Sequence, residues 1–285
     1  ESAVAHAQEA RRLTGRADAF VALDIGPSGK LLRPMGDLDF EEAVELFAET
    51  VRIGSRAGAD LILIETMSDS YETKAAVLAA KENSSLPVVV TNVYGENQTL
   101  LTGGTVAGMV AMLEGLRVDA IGVNCGMGPA QMLPIVRELA AYSSLPLVVN
   151  PNAGLPRSEG GKTVYDVTPE AFAQVMEEIA DLGAGLLGGC SGTTPAHIRA
   201  MIERCRNKPY RPPEPKQRTL VSSFSQVVEI GPRPVLIGER INPTGKSRFK
   251  QALREKNIDY ILNDGFAQEE AGADILDVNV GLPDI

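Results

Sequence analysis

The sequence predicts an α/β barrel of successive βα units, and three observations carry that prediction. Short runs rich in Val, Ile and Leu alternate with longer amphipathic stretches, the pattern of βαβ construction. The short runs lack polar alternation, as expected of parallel strands buried on both faces. Each run ends in polar or small residues, in the segments DIGPSG, IETMSD, TNVYG, NCGMG, NPNAG and GGCSGTTP. In a barrel these carboxyl ends converge on one mouth. In an open doubly wound sheet they are strung along a line, with function only at the switch point. A succession of polar tips therefore favours the (β/α)8 TIM barrel.

The elements follow in order. Strands are expected at 19–25, 60–65, 87–93, 119–124, 145–150 and 185–189. Between them, Asp39 with Glu42 three residues on reads as a capping box opening a long helix. Thr168-Pro169 and Thr194-Pro195 each set a capping hydroxyl before proline at the first helical position. Gly58, Gly183 and Gly272 mark helix ends. The prolines and basic residues of 206–218 read as a stiff solvated linker. A new α/β pattern then begins, with a strand at 234–238, the loop GERINPTGK, a helix near 250–272 and a strand at 274–279. The expected division is a partial barrel at 1–205, a linker at 206–230 and the start of a second barrel at 231–285.

Composition narrows the function classes. The chain is 44% apolar and 22% charged, which excludes disordered, collagenous and coiled-coil classes. No apolar run approaches the roughly 20 residues of a membrane span. Lys and Arg number 27 against 37 Asp and Glu, a formal charge of −10, so long-range repulsion opposes binding to nucleic acid or anionic lipid. Three cysteines, sparsely spread, make no disulfide framework. The chain opens on Glu1, reads at once as the middle of a helix, and stops just after an apolar strand. It is expected to be a piece of a longer cytoplasmic protein.

Cys125 and Cys190 directly follow two expected strands and so belong to one mouth. Thiolates on rigid strand ends suit Zn²⁺, although free cysteine is also common in α/β cores. Cys205 falls late in a helix, and His6 and His197 sit on helices away from the tips, so a nucleophile–histidine pair has little support. Glu65 and Asp24 end adjacent strands. A carboxylate there either holds a substrate ammonium or caps a loop. Asn152, in the turn NPNAG, is a ligand, a substrate contact or a turn former. The glycines of GGCSGTTP let backbone approach a ligand near a helix start. No Walker loop or dinucleotide fingerprint is present, and Lys30 and Lys162 lie in loops beyond the strands, which leaves an aldolase-type mouth without its lysine.

IETMSD, GVNCGMGP, VNPNAGLP and GGCSGTTPAHI, in that order, resemble the homocysteine S-methyltransferase barrel. VLIGERINPTGK and DILDVNVG resemble the start of a pterin-binding methyltransferase domain. The succession is similar to that of the cobalamin-dependent methionine synthases; betaine-dependent relatives lack the second domain. The resemblance implies that the family's first two βα units, with their Asp-Gly strand, lie outside this sequence. It implies homocysteine as methyl acceptor, methylcobalamin on another module of the parent chain or on a separate protein, and methyltetrahydrofolate as donor. It implies a zinc site of three cysteines, one in the Asn-Cys motif and two adjacent. Cys125 and Cys190 match two of them, and the third position is Ser191. Glu65 and Asp24 are then expected at the amino acid, Asn152 beside the metal, and Asn242, Asp277 and Asn279 in the pterin site. The alternative is a zinc-deficient variant that serves as a corrinoid-associated binding module or takes another methyl acceptor.

Overall fold

A computed structural model describes residues 1–283; Asp284 and Ile285, the end of the expected second barrel segment, lie outside the described residues. Two compact units divide the chain, one formed by Glu1–Gln217 with Ser222–Val227, the other by Arg218–Val221 with the chain from Val228 onward.

The first unit runs α1 (Ser2–Leu13), β1 (Ala22–Ile25), α2 (Phe40–Arg56), β2 (Leu61–Met67), α3 (Ser70–Asn83), β3 (Val88–Asn92), α4 (Val106–Gly115), β4 (Ala120–Asn124), α5 (Pro129–Tyr142), β5 (Leu147–Asn150), a small antiparallel pair β6 (Arg157–Glu159) and β7 (Lys162–Val164), α6 (Pro169–Asp181), β8 (Ala184–Leu187) and α7 (Pro195–Cys205). Six strands form one parallel sheet in the order β1-β2-β3-β4-β5-β8. Sequential parallel neighbours joined by helices are the arrangement the alternating pattern predicts, and β1 and β8 form its edges.

The centre of the sheet is the driest part. Every residue of β3 and β4 is buried, which is why VVVTN and AIGVN carry no polar alternation. One face of the sheet packs on the helices through Ile62, Ile64, Val88, Val90, Ile121 and Val149. The other face gathers Val89, Ala120 and Val148 with Leu61 and Leu63. Helix α3 buries Ala75, Ala76, Ala79 and Ala80 against its neighbours, so small side chains set a close helix approach there.

Helix ends mostly follow the sequence. Thr168 accepts the Ala171 N–H at 3.3 Å, and Gly58, Gly183 and Gly272 all have positive φ. Asp39 departs from expectation: it precedes α2, but its carboxylate pairs with Arg33 at 3.0 Å and makes no capping bond. A charged partner outside the helix outcompetes the backbone N–H groups of the first turn. Asp69 does cap, accepting from Glu72 N–H at 2.7 Å.

The stretch expected as linker acquires regular structure in its second half, where β9 (Thr219–Ser222) pairs with β10 (Val227–Ile230). Its turn residues belong to the first unit: Ser70 Oγ donates to the Phe224 carbonyl at 2.9 Å, and the Tyr71 and Phe224 rings meet edge-on with centroids 4.7 Å apart.

In the second unit β11 (Ile237–Ile241) pairs in parallel with β12 (Ile275–Val278), with α8 (Ser247–Arg254) and α9 (Ile258–Glu270) between them in sequence. The first strand thus begins three residues later than the expected 234–238. The expected helix is two, because Lys256 takes a positive φ of 54° and the Asn257 side chain accepts the Tyr260 N–H to start α9 afresh. Phe249 and Leu253 of α8 bury against Ile241 as a small core. Among the described residues no helix is long and apolar enough to cross a membrane.

Candidate functional site

The polar tips meet at the carboxyl end of the six-stranded sheet, and Asn124 joins them. This last residue of β4 is fully buried, so its amide must find partners inside the protein. Its Oδ1 accepts from the Thr66 N–H at 2.9 Å and from Thr91 Oγ1 at 2.8 Å. Its Nδ2 donates to Thr66 Oγ1 at 2.8 Å and points to Cys190 Sγ at 4.0 Å. One side chain thereby ties β2, β3, β4 and the loop after β8.

Glu65 and Asp24 stand at one side of this network, on neighbouring strands where Asp24 pairs with Leu63. Partial burial raises the pKa of the Asp24 carboxyl, and both burial and the charge of Asp24 raise that of Glu65. Two facing carboxylates of like charge suit a cationic ligand such as an ammonium group, whose arrival relieves both effects.

Cys125 and Cys190 stand at the other side. Cys125 has φ 59°, left-handed for a residue with a Cβ, and its N–H bonds the Asn150 carbonyl at 3.1 Å. Cys190 N–H bonds the Pro151 carbonyl at 2.8 Å, so the turn after β5 fixes both cysteines. The two thiols are neighbours at this mouth. Burial raises the pKa of the Cys190 thiol, the neighbouring Cys125 raises it further, and the N–H and hydroxyl of Ser191 oppose. A Cβ on Gly188 would meet Asn150 Oδ1 at 2.6 Å, so any larger residue there would push the Asn150 side chain aside.

Asn152 is clamped between these turns. Its N–H bonds the Met127 carbonyl at 3.0 Å, and the next N–H, of Ala153, bonds the Ser191 carbonyl at 2.9 Å. Its Oδ1 is buried without a partner, an arrangement that costs stability unless a ligand completes it. Beside Cys125, a cleft of about 680 Å³ opens over the strand ends, with Ser68, Tyr94, Leu100, Gly126 and Met127 in its wall.

A resident catalytic zinc ion takes three protein ligands and keeps a fourth position open, and the family resemblance implies three thiolates. The structure supplies two partly buried thiols and the exposed hydroxyl of Ser191. Among the described residues no three His, Cys, Asp or Glu side chains are grouped to hold a metal. The residues present do not fit a resident three-thiolate zinc. Cys205 lies at the end of α7, where burial and the Glu177 charge raise its thiol pKa.

His197, expected on α7 away from the tips, is structural. Its Nδ1 accepts the Thr194 N–H at 3.2 Å, its Nε2 lies 2.9 Å from the Val167 carbonyl, and its ring meets Phe172 edge-on. Sequence reasoning missed Asn124, Thr66 and Thr91. The available signal was an Asn closing an otherwise apolar, wholly buried strand, AIGVN. In the second unit, Asn242 Oδ1 accepts the Thr244 N–H and Asn279 Oδ1 the Gly281 N–H, while Asp277 and Asn279 are exposed on or just beyond β12.

The homocysteine S-methyltransferase family profile matches residues 1–205. The chain is 32% identical over 278 residues to a methionine synthase of Mycobacterium leprae, covering 92% of this chain and 23% of that protein. It is likewise 32% identical over 273 residues to a methionine synthase of Mycobacterium tuberculosis, covering 92% and 22%. The chain therefore spans less than a quarter of the length of these relatives. Among solved structures, the apo form of the homocysteine methyltransferase MmuM from Escherichia coli superposes with a TM-score of 0.58 at 27% identity, covering 70% of each chain. Its metallated form gives 0.57 at 26%, covering 72% of this chain and 68% of that one. A parallel α/β sheet whose polar tips gather two thiols and two carboxylates, matched across residues 1–205, places this chain in the homocysteine S-methyltransferase family.

Proposed function

We propose that the first unit is the methyl-acceptor region of a methionine synthase and binds homocysteine at the strand tips. The observation that carries this reading is that Asn124 links a carboxylate pair to a thiol pair across one mouth. That pairing matches the two ends of an amino acid carrying a thiol. Glu65 and Asp24 hold the ammonium, and Cys125, Cys190 and Asn152 surround the sulfur. The mouth orients the sulfur, and an acceptor held in one pose reacts as if at high effective concentration. A free thiol has a pKa of about 8.5, so it is a weak nucleophile at neutral pH until it loses its proton.

The remainder of the reading rests on the sequence resemblance. Residues 231–285 begin a pterin-binding barrel in which Asn242, Asp277 and Asn279 contact methyltetrahydrofolate, and methylcobalamin on another module carries the methyl group between the sites. The two edges of the six-stranded sheet are where the first two βα units of the closed barrel belong. The parent protein is cytoplasmic.

Ser191 favours a second reading, in which the same fold lacks resident zinc and acts as a corrinoid-associated binding module or methylates another acceptor. The full-length parent chain, given homocysteine and methylcobalamin, separates the two. Methionine formation that is lost in Glu65→Gln supports the first reading; binding of the corrinoid protein without methionine formation supports the second.

A further inference from the structure

The family match ends at residue 205, yet residues 222–227 belong to the first compact unit. They form the turn between β9 and β10 and lie against the starts of α3 and α4. The buried Ser70 donates its hydroxyl to the Phe224 carbonyl at 2.9 Å. The Phe224 ring meets Tyr71 edge-on with centroids 4.7 Å apart, and Tyr71 in turn meets Phe40, the first residue of α2, edge-on at 6.4 Å. A Cβ on Gly104 would stand 3.6 Å from the Phe224 carbonyl oxygen, so the backbone of the turn comes close to the chain entering α4. An edge-on ring pair and a buried hydroxyl bond are both directional, so this turn fixes what it touches rather than merely covering it.

What it touches holds three strand tips. The Glu72 carboxylate, buried in the first turn of α3, accepts both the N–H and the hydroxyl of Ser28, in the loop that follows Asp24. A buried carboxylate is costly without such donors, so the turn and that loop move together. Thr73 Oγ1 donates to the Asp69 carbonyl at 2.6 Å and accepts from Asn92 Nδ2, at the tip of β3, at 3.1 Å. The same amide donates to the carbonyl of Met67, two residues beyond Glu65, at 3.2 Å. The first turn of α3 therefore sets the backbone just beyond both carboxylates of the mouth. From this we infer that Phe224 is a positioning residue: seated on Ser70 and Tyr71, it holds that turn, and through it the placement of Asp24 and Glu65 toward the ammonium group of the substrate. The inference rests on the reading above that this pair binds the ammonium of homocysteine. It adds that the acceptor site depends on chain beyond residue 205.

The test measures homocysteine affinity by calorimetry on the full-length parent chain, with each variant first shown to be folded by circular dichroism. Phe224→Ala is expected to weaken binding about tenfold, the scale of changes that act through a packed network. In a Glu65→Gln background the same substitution is expected to cost about twofold at most, because its effect runs through the carboxylate pair. Ser70→Ala removes only the hydroxyl bond to the turn; it is expected to weaken binding in the same direction, and it decides the question if Phe224→Ala does not fold. Phe224→Leu keeps an apolar side chain against Tyr71 and is expected to stay within about threefold of wild type. A purely fold-supporting role would lower the unfolding midpoint of these variants and leave the affinity of the folded protein unchanged. Unchanged affinity in Phe224→Ala and Ser70→Ala, or an equal loss in both backgrounds, overturns the inference while Glu65 keeps its role. Affinity that Glu65→Gln itself does not alter removes the reading of that carboxylate, and the inference falls with it.

Discussion

Asn124→Ala tests the architecture of the mouth most directly. The side chain is fully buried and satisfies the Thr66 N–H, the Thr91 hydroxyl and Thr66 Oγ1. Truncation leaves the N–H without an acceptor, at about 1–3 kcal/mol for a buried group. The hydroxyls reorient in part, and the missing amide leaves a small cavity. The combined cost is about 4 kcal/mol, reduced somewhat because Thr66, at φ 64°, is then free to relax from a conformation that costs about 1–3 kcal/mol. For a unit of this size that corresponds to a fall in unfolding midpoint of about 8–16 °C. Urea denaturation of wild type, Asn124→Ala, Thr66→Gly and the double variant measures it as a cycle. Glycine at 66 removes the strain and one of the bonds, so Asn124→Ala is expected to cost about 1 kcal/mol less in that background. A loss below 1 kcal/mol, or equal losses in both backgrounds, would refute Asn124 as the tie between strands.

Three further variants carry expected outcomes. Glu65→Gln weakens homocysteine binding by about tenfold to a hundredfold, from the loss of a charged hydrogen bond, as read by calorimetry. The same variant is expected to raise the unfolding midpoint above the carboxylate range. The folded Glu65 pKa is raised by burial and Asp24, so its contribution to stability is full below the unfolded pKa and lost as pH rises through the folded one. Asp274, held down to about 2 by Arg233 and the Leu236 N–H, has the opposite sign. Its contribution is present above the unfolded pKa and lost as pH falls through the folded value of about 2, so Asp274→Asn destabilises the second unit at pH 7 and progressively less as pH falls below the ordinary carboxylate range, checked by denaturant unfolding across that range. His197→Ala removes the tie to Thr194 and Val167 and the edge contact with Phe172, at about 1–3 kcal/mol in denaturant, without altering homocysteine affinity.

The sheet was legible because its signal is local: a run such as VVVTN is apolar throughout since both faces are buried, and each strand forms within a few residues of its expected limits. The features that escaped depend on partners distant in sequence. Asn124 takes its meaning from Thr66, 58 residues away, and Thr91, 33 away. Asp39 was drawn from its helix by Arg33, a charge outside the capping pattern. The β9–β10 pair was hidden by the prolines before it, although TLVS and VVEI carry strand-forming residues on either side of a short turn. The division of the last helix was visible only as Asn257, a good cap inside a continuing apolar period. Glu65, Asp24, Cys125, Cys190 and Asn152 could be placed at the mouth because strand ends impose that placement, but their grouping by one buried amide could not.

The strained residues of the mouth explain why that amide sits where it does. Thr66 and Cys125 both hold positive φ without being glycine, at 64° and 59°. Thr66 lies in the last pleat of β2 and Cys125 directly follows β4, and each lies beside a candidate site residue or is one. Such conformations persist only where the surroundings fix them. Asn124 does this for both, through its side chain for Thr66 and through its place in the chain for Cys125. The buried strands β3 and β4 beneath give it a floor with no freedom to yield. The carboxylate side and the thiol side of the mouth are therefore both set against one buried amide.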